Sequence, residues 1–373
     1  MAFRHHLNTH VVRRVGNGPL VLKRHFNARY TKVEELRRGA EASIFLVKDS
    51  TVSHTDTGRP LAVRALRSDV TAQQGLERHE LEVLQTMRDA PNIMPLHDHF
   101  MHGEHLCLVT DAYGPDLATI QFGFNRQPPF VRKRLPVNLV CHVARGVLLA
   151  LSALHKNDIA HTDVKPDNIY FDAFGQESPD LLASEVVLGD FGEATPAHGD
   201  RTRSIQPFGL RSPEVVAGCK WDTKVDIWNL GCLVFELLAG NTLFPLHPEP
   251  LKLSNGTEFS ADQTLFVRQH GTAMIEDENP LHLIAHFKHG AHFKELYAMG
   301  ENGIPFLKLS YHPDFNQRQT LEDILHMYGI YDLMLHDFLA ATLRMHPEER
   351  ASADDLLRHP WLYPSGWWRG SSG

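Results

Sequence analysis

Two short stretches decide how this chain is interpreted: H-T-D-V-K-P-D-N at residues 161–168 and D-F-G at residues 190–192. The first places an aspartate, which can accept a proton from a hydroxyl group, ahead of a lysine that can neutralise a phosphate. Its asparagine and the later aspartate supply oxygen atoms, the ligands that Mg²⁺ prefers. Phosphoryl transfer needs this combination, because its transition state depends on charge neutralisation and in-line positioning more than on covalent chemistry.

The order H-x-D-x-K-P-x-N followed by D-F-G matches the protein kinase signature, and the chain resembles a eukaryotic protein kinase. The resemblance implies an α+β, bilobal kinase fold, with an antiparallel sheet and one helix in the small lobe and a mainly helical large lobe. We expect a basic tail over residues 1–29, the small lobe over 30–111, the large lobe over 112–363 and a flexible tail over 364–373.

The resemblance also implies roles for the residues of the catalytic loop. Asp163 corresponds to the catalytic base, Lys165 to the contact with the γ-phosphate of ATP, and Asn168 with Asp190 to the Mg²⁺ ligands. A lysine at this distance from the aspartate favours a serine/threonine kinase. Thr162 replaces an arginine that in many kinases holds a phosphorylated activation loop, so we expect that phosphorylation of this loop is not required.

The first hairpin departs from the kinase pattern. Kinases carry G-x-G-x-x-G there, whereas the segment R-R-G-A-E-A-S-I at residues 37–44 keeps Gly39 and has Arg37 and Ala42 at the other glycine positions. Without those glycines the loop is stiffer, and its amides approach phosphates less closely. An ordinary hairpin turn with no nucleotide role is the alternative interpretation.

A second departure falls on the strand P-L-A-V-R-A-L at residues 60–66, where kinases show V-A-I-K. Arg64 holds the position of the lysine that bridges the ATP phosphates to a helix glutamate. Glu80 is the expected glutamate, with Glu77 and Glu82 as alternatives that are expected to face solvent. Arginine keeps the positive charge. Its planar guanidinium group is larger than an ammonium group and points its N–H donors in different directions, so we expect the nucleotide to be positioned differently.

Further nucleotide contacts follow from the resemblance. Thr110 corresponds to the gatekeeper at the end of a strand over residues 105–111, and Ala112 and Tyr113 correspond to residues whose backbone groups face adenine. Tyr170 lies at the position of the leucine that usually forms the floor of the adenine pocket. The set assigned to the nucleotide comprises Gly39, Ile44, Ala62, Thr110, Asp111, Tyr113 and Tyr170.

Later motifs resemble the SR-protein kinase branch: the catalytic loop, the I-Q…R-S-P-E segment that ends at Glu214, and a helix over residues 222–236. This resemblance covers residues 30–363 and implies arginine/serine-rich splicing factors as substrates. It also implies an ion pair between Glu214 and Arg350, and hydrogen bonds from the catalytic-loop backbone to Asp226. Apolar periodicity predicts a helix over residues 135–157, and a strand is plausible over 93–100.

Length and composition describe an ordinary globular chain. It has 373 residues, 42% hydrophobic and 22% charged, and a net charge of -8 that argues against direct nucleic-acid binding. No apolar run reaches the length needed to cross a bilayer, and no secretory signal pattern is seen. The four cysteines lack metal-site spacing. We therefore expect reduced thiols, no membrane contact, and a monomer in the cytoplasm, the nucleus or both.

Two compositional features leave alternatives open. Residues 1–33 hold basic residues and no acidic one, which fits a transit peptide, a nuclear-import patch or a partly disordered tail. The 25 histidines include His282 and His286, and also His289 and His292, at spacings that a metal site can use. They lack accompanying cysteine or acidic ligands, so we expect surface or capping histidines.

Three functions remain possible on these observations. The first is a serine/threonine kinase that uses ATP and Mg²⁺ on a protein substrate, since Asp163, Lys165, Asn168 and Asp190 are all present. The second is a pseudokinase that acts as a binding or scaffold module, because Arg64 and the altered hairpin weaken the nucleotide site. The third is a small-molecule phosphotransferase, which the peptide-binding R-S-P-E segment disfavours.

Overall fold

The computed structural model describes residues 25–51, 59–72, 76–123, 132–197, 204–244, 250–252, 257–272, 280–309, 312 and 319–364. The chain forms two compact units. Among the described residues, the first unit contains residues 25–78 and 95–112, and the second contains residues 79–94 and 113–364. The tail over residues 1–24 and that over residues 365–373 lie outside the described residues. The lobe and tail boundaries expected from the sequence stay a prediction.

The first unit is built on an antiparallel sheet of five strands in the order β1-β2-β3-β5-β4. Its elements are β1 (Tyr30–Arg38), β2 (Ala42–Asp49), β3 (Leu61–Leu66), helix α1 (Ser68–Ala72), β4 (Leu96–His102) and β5 (His105–Asp111). Helix α2 (Leu76–Thr86) begins in this unit and continues in the second. Alternating burial along β2 gives the sheet one apolar face and a second, more mixed face.

Aromatic rings pack the apolar face of the sheet. Phe45, Val63 and Cys107 are fully buried there. Tyr30 stacks on Phe100 with ring centroids 5.6 Å apart, and its hydroxyl donates a hydrogen bond to Asp98 over 3.0 Å. The buried phenol is therefore satisfied, and the outer strands are tied to the sheet by both packing and polar contacts.

The second unit is mainly helical. Its helices are α3 (Leu117–Phe122), α4 (Val137–Lys156), α5 (Pro213–Val216), α6 (Lys224–Ala239), α7 (Ala261–Thr272), α8 (Pro280–Phe287), α9 (Phe293–Leu296), α10 (Leu321–Met327), α11 (Leu333–Thr342) and α12 (Ala353–Leu356). Short 3₁₀ turns cover Pro166–Asn168, Phe208–Leu210, Pro347–Glu349 and Pro360–Leu362. Four antiparallel pairs join β6 (Ile159–Ala160) with β9 (Thr195–Pro196), β7 (Ile169–Phe171) with β8 (Val186–Leu188), β10 (Leu251–Lys252) with β11 (Glu258–Phe259), and β12 (Tyr297–Met299) with β13 (Pro305–Leu307).

Most predicted elements are present with shifted ends. The strand expected over residues 105–111 is confirmed as β5, and the helix expected over 135–157 is α4. The strand expected over 93–100 begins later, at Leu96. Ile93 and Met94 instead follow β8, where the Met94 amide donates to the Leu188 carbonyl over 2.9 Å. The α+β fold class is confirmed, and all four cysteines are buried and free.

One expectation about the membrane needs correction. Helix α4 has 20 residues and is long and apolar enough to cross a bilayer by length and composition. However, 61% of its most apolar stretch is buried inside the protein. A Cβ on Gly146 would lie 2.6 Å from the Val186 Cβ, so the helix packs directly on β8. Helix α4 is therefore a core helix, and its apolar surface is explained by packing.

The expected ion pair between Glu214 and Arg350 is confirmed. Both guanidinium nitrogens Nη1 and Nη2 donate to the carboxylate over 2.6 Å, and neither side chain is exposed. Arg350 Nε donates to the Arg344 carbonyl over 2.7 Å, and the guanidinium lies 5.0 Å above the Trp228 ring. Because every donor group of the arginine has a partner, the charges can stay buried. The pair fixes the end of the R-S-P-E segment against the helical core.

Removing one member of this pair is expected to be strongly destabilising. In Arg350→Met the Glu214 carboxylate stays buried without its partner, so the free energy of unfolding should fall by about 3–5 kcal/mol. Urea denaturation measures this change.

The matched control is Arg358→Met, which removes an exposed pair with Asp355 and should cost about 0.5 kcal/mol or less. The double substitution Glu214→Leu with Arg350→Met should recover part of the loss, because no unpaired charge remains. Equal losses in Arg350→Met and Arg358→Met would contradict this account.

Candidate active site

Two predicted catalytic residues and one predicted metal ligand meet at one carboxylate. Asp163 Oδ2 accepts hydrogen bonds from Lys165 Nζ over 2.6 Å and from Asn168 Nδ2 over 2.9 Å. Asn168 Nδ2 also donates to the Asp163 carbonyl over 2.9 Å. The 3₁₀ turn Pro166–Asn168 produces this approach by folding the asparagine back over the aspartate. The Asp163 side chain is therefore held in one orientation, as a base needs to be.

The buried Asp226 holds the backbone of the catalytic loop. Its carboxylate accepts hydrogen bonds from the His161 amide over 2.8 Å and from the Thr162 amide over 2.7 Å. Thr162 has a φ of 66°, an unfavourable conformation for a β-branched residue. Its hydroxyl donates to the Glu193 carbonyl over 2.8 Å. These bonds offset the strain, and the expected contact of Asp226 with the loop backbone is confirmed.

His161 connects the catalytic loop with the D-F-G motif. Its Nε2 donates to the Gly189 carbonyl over 3.2 Å, and its Nδ1 accepts from the Asp163 amide over 3.2 Å. The ring packs edge-on against the buried Phe191, with centroids 5.1 Å apart. Asp190 has a φ of 61°, a region that aspartate tolerates better than most residues. The two motifs thus form one structure around His161.

The carboxylates around Lys165 determine its charge. Burial lowers the pKa of the Lys165 ammonium, but the negative charges of Asp163, Asp190 and Asp167 outweigh burial. The pKa of Lys165 therefore lies above its usual value, and the side chain stays charged at neutral pH. A permanent positive charge beside the base can neutralise a transferring phosphoryl group.

The oxygen atoms of Asn168 and Asp190 in the second unit are suitable ligands for Mg²⁺. Asn168 directs its amide nitrogen at Asp163, which leaves the amide oxygen for a metal ion, and Asp190 supplies a carboxylate. Among the described residues no group of three or more His, Cys, Asp or Glu side chains could hold a metal. Mg²⁺ often takes one or two protein ligands and completes its shell with phosphate and water oxygens. Asn168 and Asp190 suit that arrangement.

Glu80 lies beside the D-F-G motif. It is 3% exposed, and a Cβ on Gly192 would lie 4.0 Å from its Oε2. The alternative Glu82 is exposed, whereas the side chain of Glu77 lies outside the described residues. Burial therefore favours Glu80 among the three candidates. Its pairing with Arg64 stays a prediction.

Arg64 and three residues assigned to the nucleotide share one face of the sheet in the first unit. Arg64 lies opposite Ile44 on β2, and Ala62 lies opposite Thr110 on β5. Because residues opposite each other in register point to the same side, all four belong to the face away from the Phe45 core. Strand alternation thus places the half-buried Arg64 on the same face as Ile44, Ala62 and Thr110, three residues assigned to the nucleotide.

Asp111 does not share that face. Its buried carboxylate accepts a hydrogen bond from His97 Nε2 over 2.7 Å and lies 3.5 Å from Arg59. Burial raises the pKa of Asp111, but these two partners outweigh burial and hold the pKa below its usual value. The backbone carbonyl of Asp111 accepts the Thr110 hydroxyl over 3.0 Å, and the contact of Asp111 with the nucleotide stays a prediction.

The other assigned residues occupy loops and short strands. Gly39 forms the turn between β1 and β2, and its amide donates to the Ala42 carbonyl over 2.8 Å. Tyr170 lies on β7, and a Cβ on Gly189 would approach its Cε2 to 3.2 Å. The Tyr170 ring therefore packs next to the residue that precedes Asp190. Tyr113 comes directly before Gly114, whose amide donates to the Phe171 carbonyl over 3.1 Å.

Sequence reasoning missed the role of Gln206. Its Oε1 accepts from the Ser212 amide over 2.9 Å, and its Nε2 donates to the Val225 carbonyl over 2.9 Å and to Asn229 Oδ1 over 3.0 Å. Gln206 also has a φ of 70°. The side chain thus ties the segment before R-S-P-E to helix α6. A polar residue between apolar neighbours is the signal that could have pointed to it.

Comparisons with known proteins agree with this geometry. A family model described as "Protein kinase domain" matches residues 30–362. A "Serine/threonine-protein kinase SRPK" from Physarum polycephalum is 27% identical, with 93% of this chain and 89% of the relative covered.

Two further relatives are dual-specificity kinases. "Dual specificity protein kinase lkh1" from Schizosaccharomyces pombe is 25% identical over 93% of this chain and 49% of its own length. "Dual specificity protein kinase CLK1" from Homo sapiens is 28% identical over 59% of this chain and 46% of its own length. The chain thus spans less than half the length of these two relatives. The family model, which matches most of the chain, shows that it belongs to the protein kinase family.

Proposed function

We propose that this chain is a serine/threonine protein kinase that transfers the γ-phosphate of ATP in the presence of Mg²⁺. The observation that carries the proposal is the joining of Asp163, Lys165 and Asn168 at one carboxylate. The negative charge of Asp190 acts on the same lysine. This arrangement places a proton acceptor and a positive charge side by side, and phosphate transfer requires both groups.

Each side chain has a defined part in the proposed reaction. Asp163 orients the substrate hydroxyl and accepts its proton at the carboxylate. Lys165, charged at neutral pH, neutralises the equatorial oxygens of the phosphoryl group. The Asn168 amide oxygen and the Asp190 carboxylate would hold Mg²⁺, which supplies charge neutralisation at the ATP phosphates. Asp226 keeps the loop backbone in place during transfer.

The substrate class rests on two supports. Lys165, two positions after Asp163, is the serine/threonine pattern. The Physarum relative bears the name serine/threonine-protein kinase SRPK, whereas the other two are named dual-specificity kinases. We therefore propose serine or threonine in arginine/serine-rich segments as the acceptor. A tyrosine-containing peptide is the comparison that separates the two specificities.

The end of the activation segment supports activity without phosphorylation. Gln206 binds Ser212 and Asn229, and Arg211 donates to Asp262 over 2.9 Å and to the Ile205 carbonyl over 3.1 Å. These contacts order residues 204–212 through uncharged groups and one ion pair. Together with Thr162 in place of an arginine, they make a phosphate group dispensable for holding this segment.

Arg64 favours a second candidate, a pseudokinase that binds partners through the same fold. A guanidinium at the lysine position alters how the nucleotide phosphates are held. Arg37 and Ala42 reduce the conformational freedom of the neighbouring turn. In this alternative the catalytic loop is retained for structure, through the bonds of Asp226, and phosphate transfer is absent.

The first test is transfer of labelled phosphate from ATP and Mg²⁺ to an arginine/serine-repeat peptide. Asp163→Ala should reduce transfer by about 100-fold or more, because the proton acceptor is lost. The matched control Asp89→Ala removes an exposed carboxylate and should leave the rate unchanged. Wild-type protein that neither transfers phosphate nor binds Mg-ATP in a thermal-shift assay would establish the pseudokinase alternative.

The second test addresses Arg64. Arg64→Ala should raise the KM for ATP and lower kcat/KM by about tenfold or more, because a positive charge on the nucleotide face is removed. Arg64→Lys should stay within about tenfold of wild type, equivalent to ~1.4 kcal/mol. Arg88→Ala removes an exposed guanidinium elsewhere and is the control. A gain well above tenfold in Arg64→Lys would show a crippled nucleotide site.

A further inference from the structure

Three histidines of the second unit pack ring against ring. His282 and His286 lie one turn apart on α8, and His346 precedes the 3₁₀ turn Pro347–Glu349. The His346 ring stacks on His282 with centroids 4.5 Å apart and planes within 8°, and it meets His286 at 4.3 Å. His346 is 5% exposed, whereas His282, His289 and His292 are exposed, as expected, and His286 is half-buried. The exposed His282 ring covers the His346 ring on its solvent side.

Two ring nitrogens of this cluster are buried without a hydrogen-bond partner among the residues that the structure describes. They are His286 Nε2 and His346 Nδ1. A neutral imidazole can leave one nitrogen as a bare lone pair, whereas the imidazolium carries a proton on both nitrogens. Protonation would therefore create buried donors without acceptors. The surroundings favour the neutral form of both rings.

The arrangement does not suit a metal ion. An imidazole binds metal through a lone pair in the plane of its ring, and the parallel planes of His282 and His346 cannot converge on one point between them. No metal-binding group of three or more ligands occurs in the described part of the chain. The ring geometry of the cluster is therefore not that of a metal site.

The charged groups around the cluster include both signs. Arg350 lies near both buried rings and opposes their protonation, whereas Glu214, Glu348 and Glu349 favour it. His282 Nδ1 lies 3.3 Å from Glu349 Oε1. Lys224 adds a second cation, since its ammonium donates to the Arg350 carbonyl.

Burial decides the balance of these effects. Burial and the His346 ring lower the pKa of His286, and burial and the His282 ring lower the pKa of His346. The nearby glutamates only partly compensate. Both rings therefore stay neutral at pH values where an exposed histidine is already protonated.

We propose that this histidine cluster is a proton-sensitive contact that holds α8 against the segment carrying Arg350. In its neutral form the His346 ring stacks on His282 and packs at a tilt against His286, close to the buried Glu214–Arg350 pair. On acidification the rings become like charges about 4–5 Å apart, next to a guanidinium, and α8 loosens from the segment. The end of the R-S-P-E segment, which Glu214 anchors, loses its support at the same time.

The pH window follows from the direction of the pKa shifts. In the unfolded chain these histidines protonate near their usual pKa of about 6.5, and in the folded chain they protonate at lower pH. The folded state therefore binds fewer protons below about pH 6.5. The stability is fully present above that pH and falls as the pH drops through the folded pKa values.

Thermal unfolding at pH 7.5 and pH 5.5 tests this proposal. His346→Phe keeps an aromatic ring against His282 and His286 but cannot be protonated. Its Tm should fall on acidification by at least about 3 °C less than that of the wild type. His289→Gln changes an exposed histidine near the end of α8 and should behave like wild type. Equal acid sensitivity in His346→Phe and wild type would overturn the proposal.

A second measurement decides the question if His346→Phe does not fold. In wild-type protein with isotope-labelled histidines, NMR titration should show at least two rings with pKa values clearly below 6.5. The opposite result, with every histidine titrating at or above 6.5, would also overturn the proposal. Both measurements are independent of phosphate transfer, so they remain informative if the proposed function fails.

Discussion

The buried carboxylate of Asp226 is the constraint on which the candidate active site depends. It accepts the amides of His161 and Thr162 and lies 3.0 Å from His155 Nε2. A buried carboxylate with fewer donors would be costly, and a loop with a threonine at a positive φ would relax without it. The loop amides therefore stabilise the buried carboxylate, and the carboxylate in turn stabilises the strained backbone of the loop. His161 extends this support to Phe191, so that α6, the catalytic loop and the D-F-G motif form one structure.

The parts of the site that were predictable are those whose chemistry and spacing lie within one short stretch. Asp163, Lys165 and Asn168 are separated by at most five positions, and a single 3₁₀ turn brings them together. The pair of Glu214 and Arg350 was also predictable, but by resemblance to a family. No local pattern relates two residues 136 positions apart.

Other features could be recognised only in the three-dimensional structure. The late start of β4 follows from Ile93 and Met94, which bond along β8 and are thereby withheld from the sheet. The partner of Asp111 is His97 on a neighbouring strand, and nothing near Asp111 in sequence indicates it. Strand alternation alone, however, separates Asp111 from Thr110, because adjacent residues point to opposite faces. From that rule alone, the sequence predicts that the Asp111 side chain does not share the face of Thr110, so that only the backbone of Asp111 could contact the nucleotide.

The central claim is that Asp226 preorganises the catalytic loop for phosphate transfer. The most direct measurement is kcat at saturating ATP and peptide in Asp226→Asn, beside its thermal unfolding. The substitution keeps the size of the side chain but removes its charge, and it replaces one accepting oxygen with an amide nitrogen that cannot accept the His161 or the Thr162 amide. The account predicts a folded protein with kcat lower by about 100-fold, because small displacements of the loop are costly. A folded variant that transfers phosphate at the wild-type rate would contradict it.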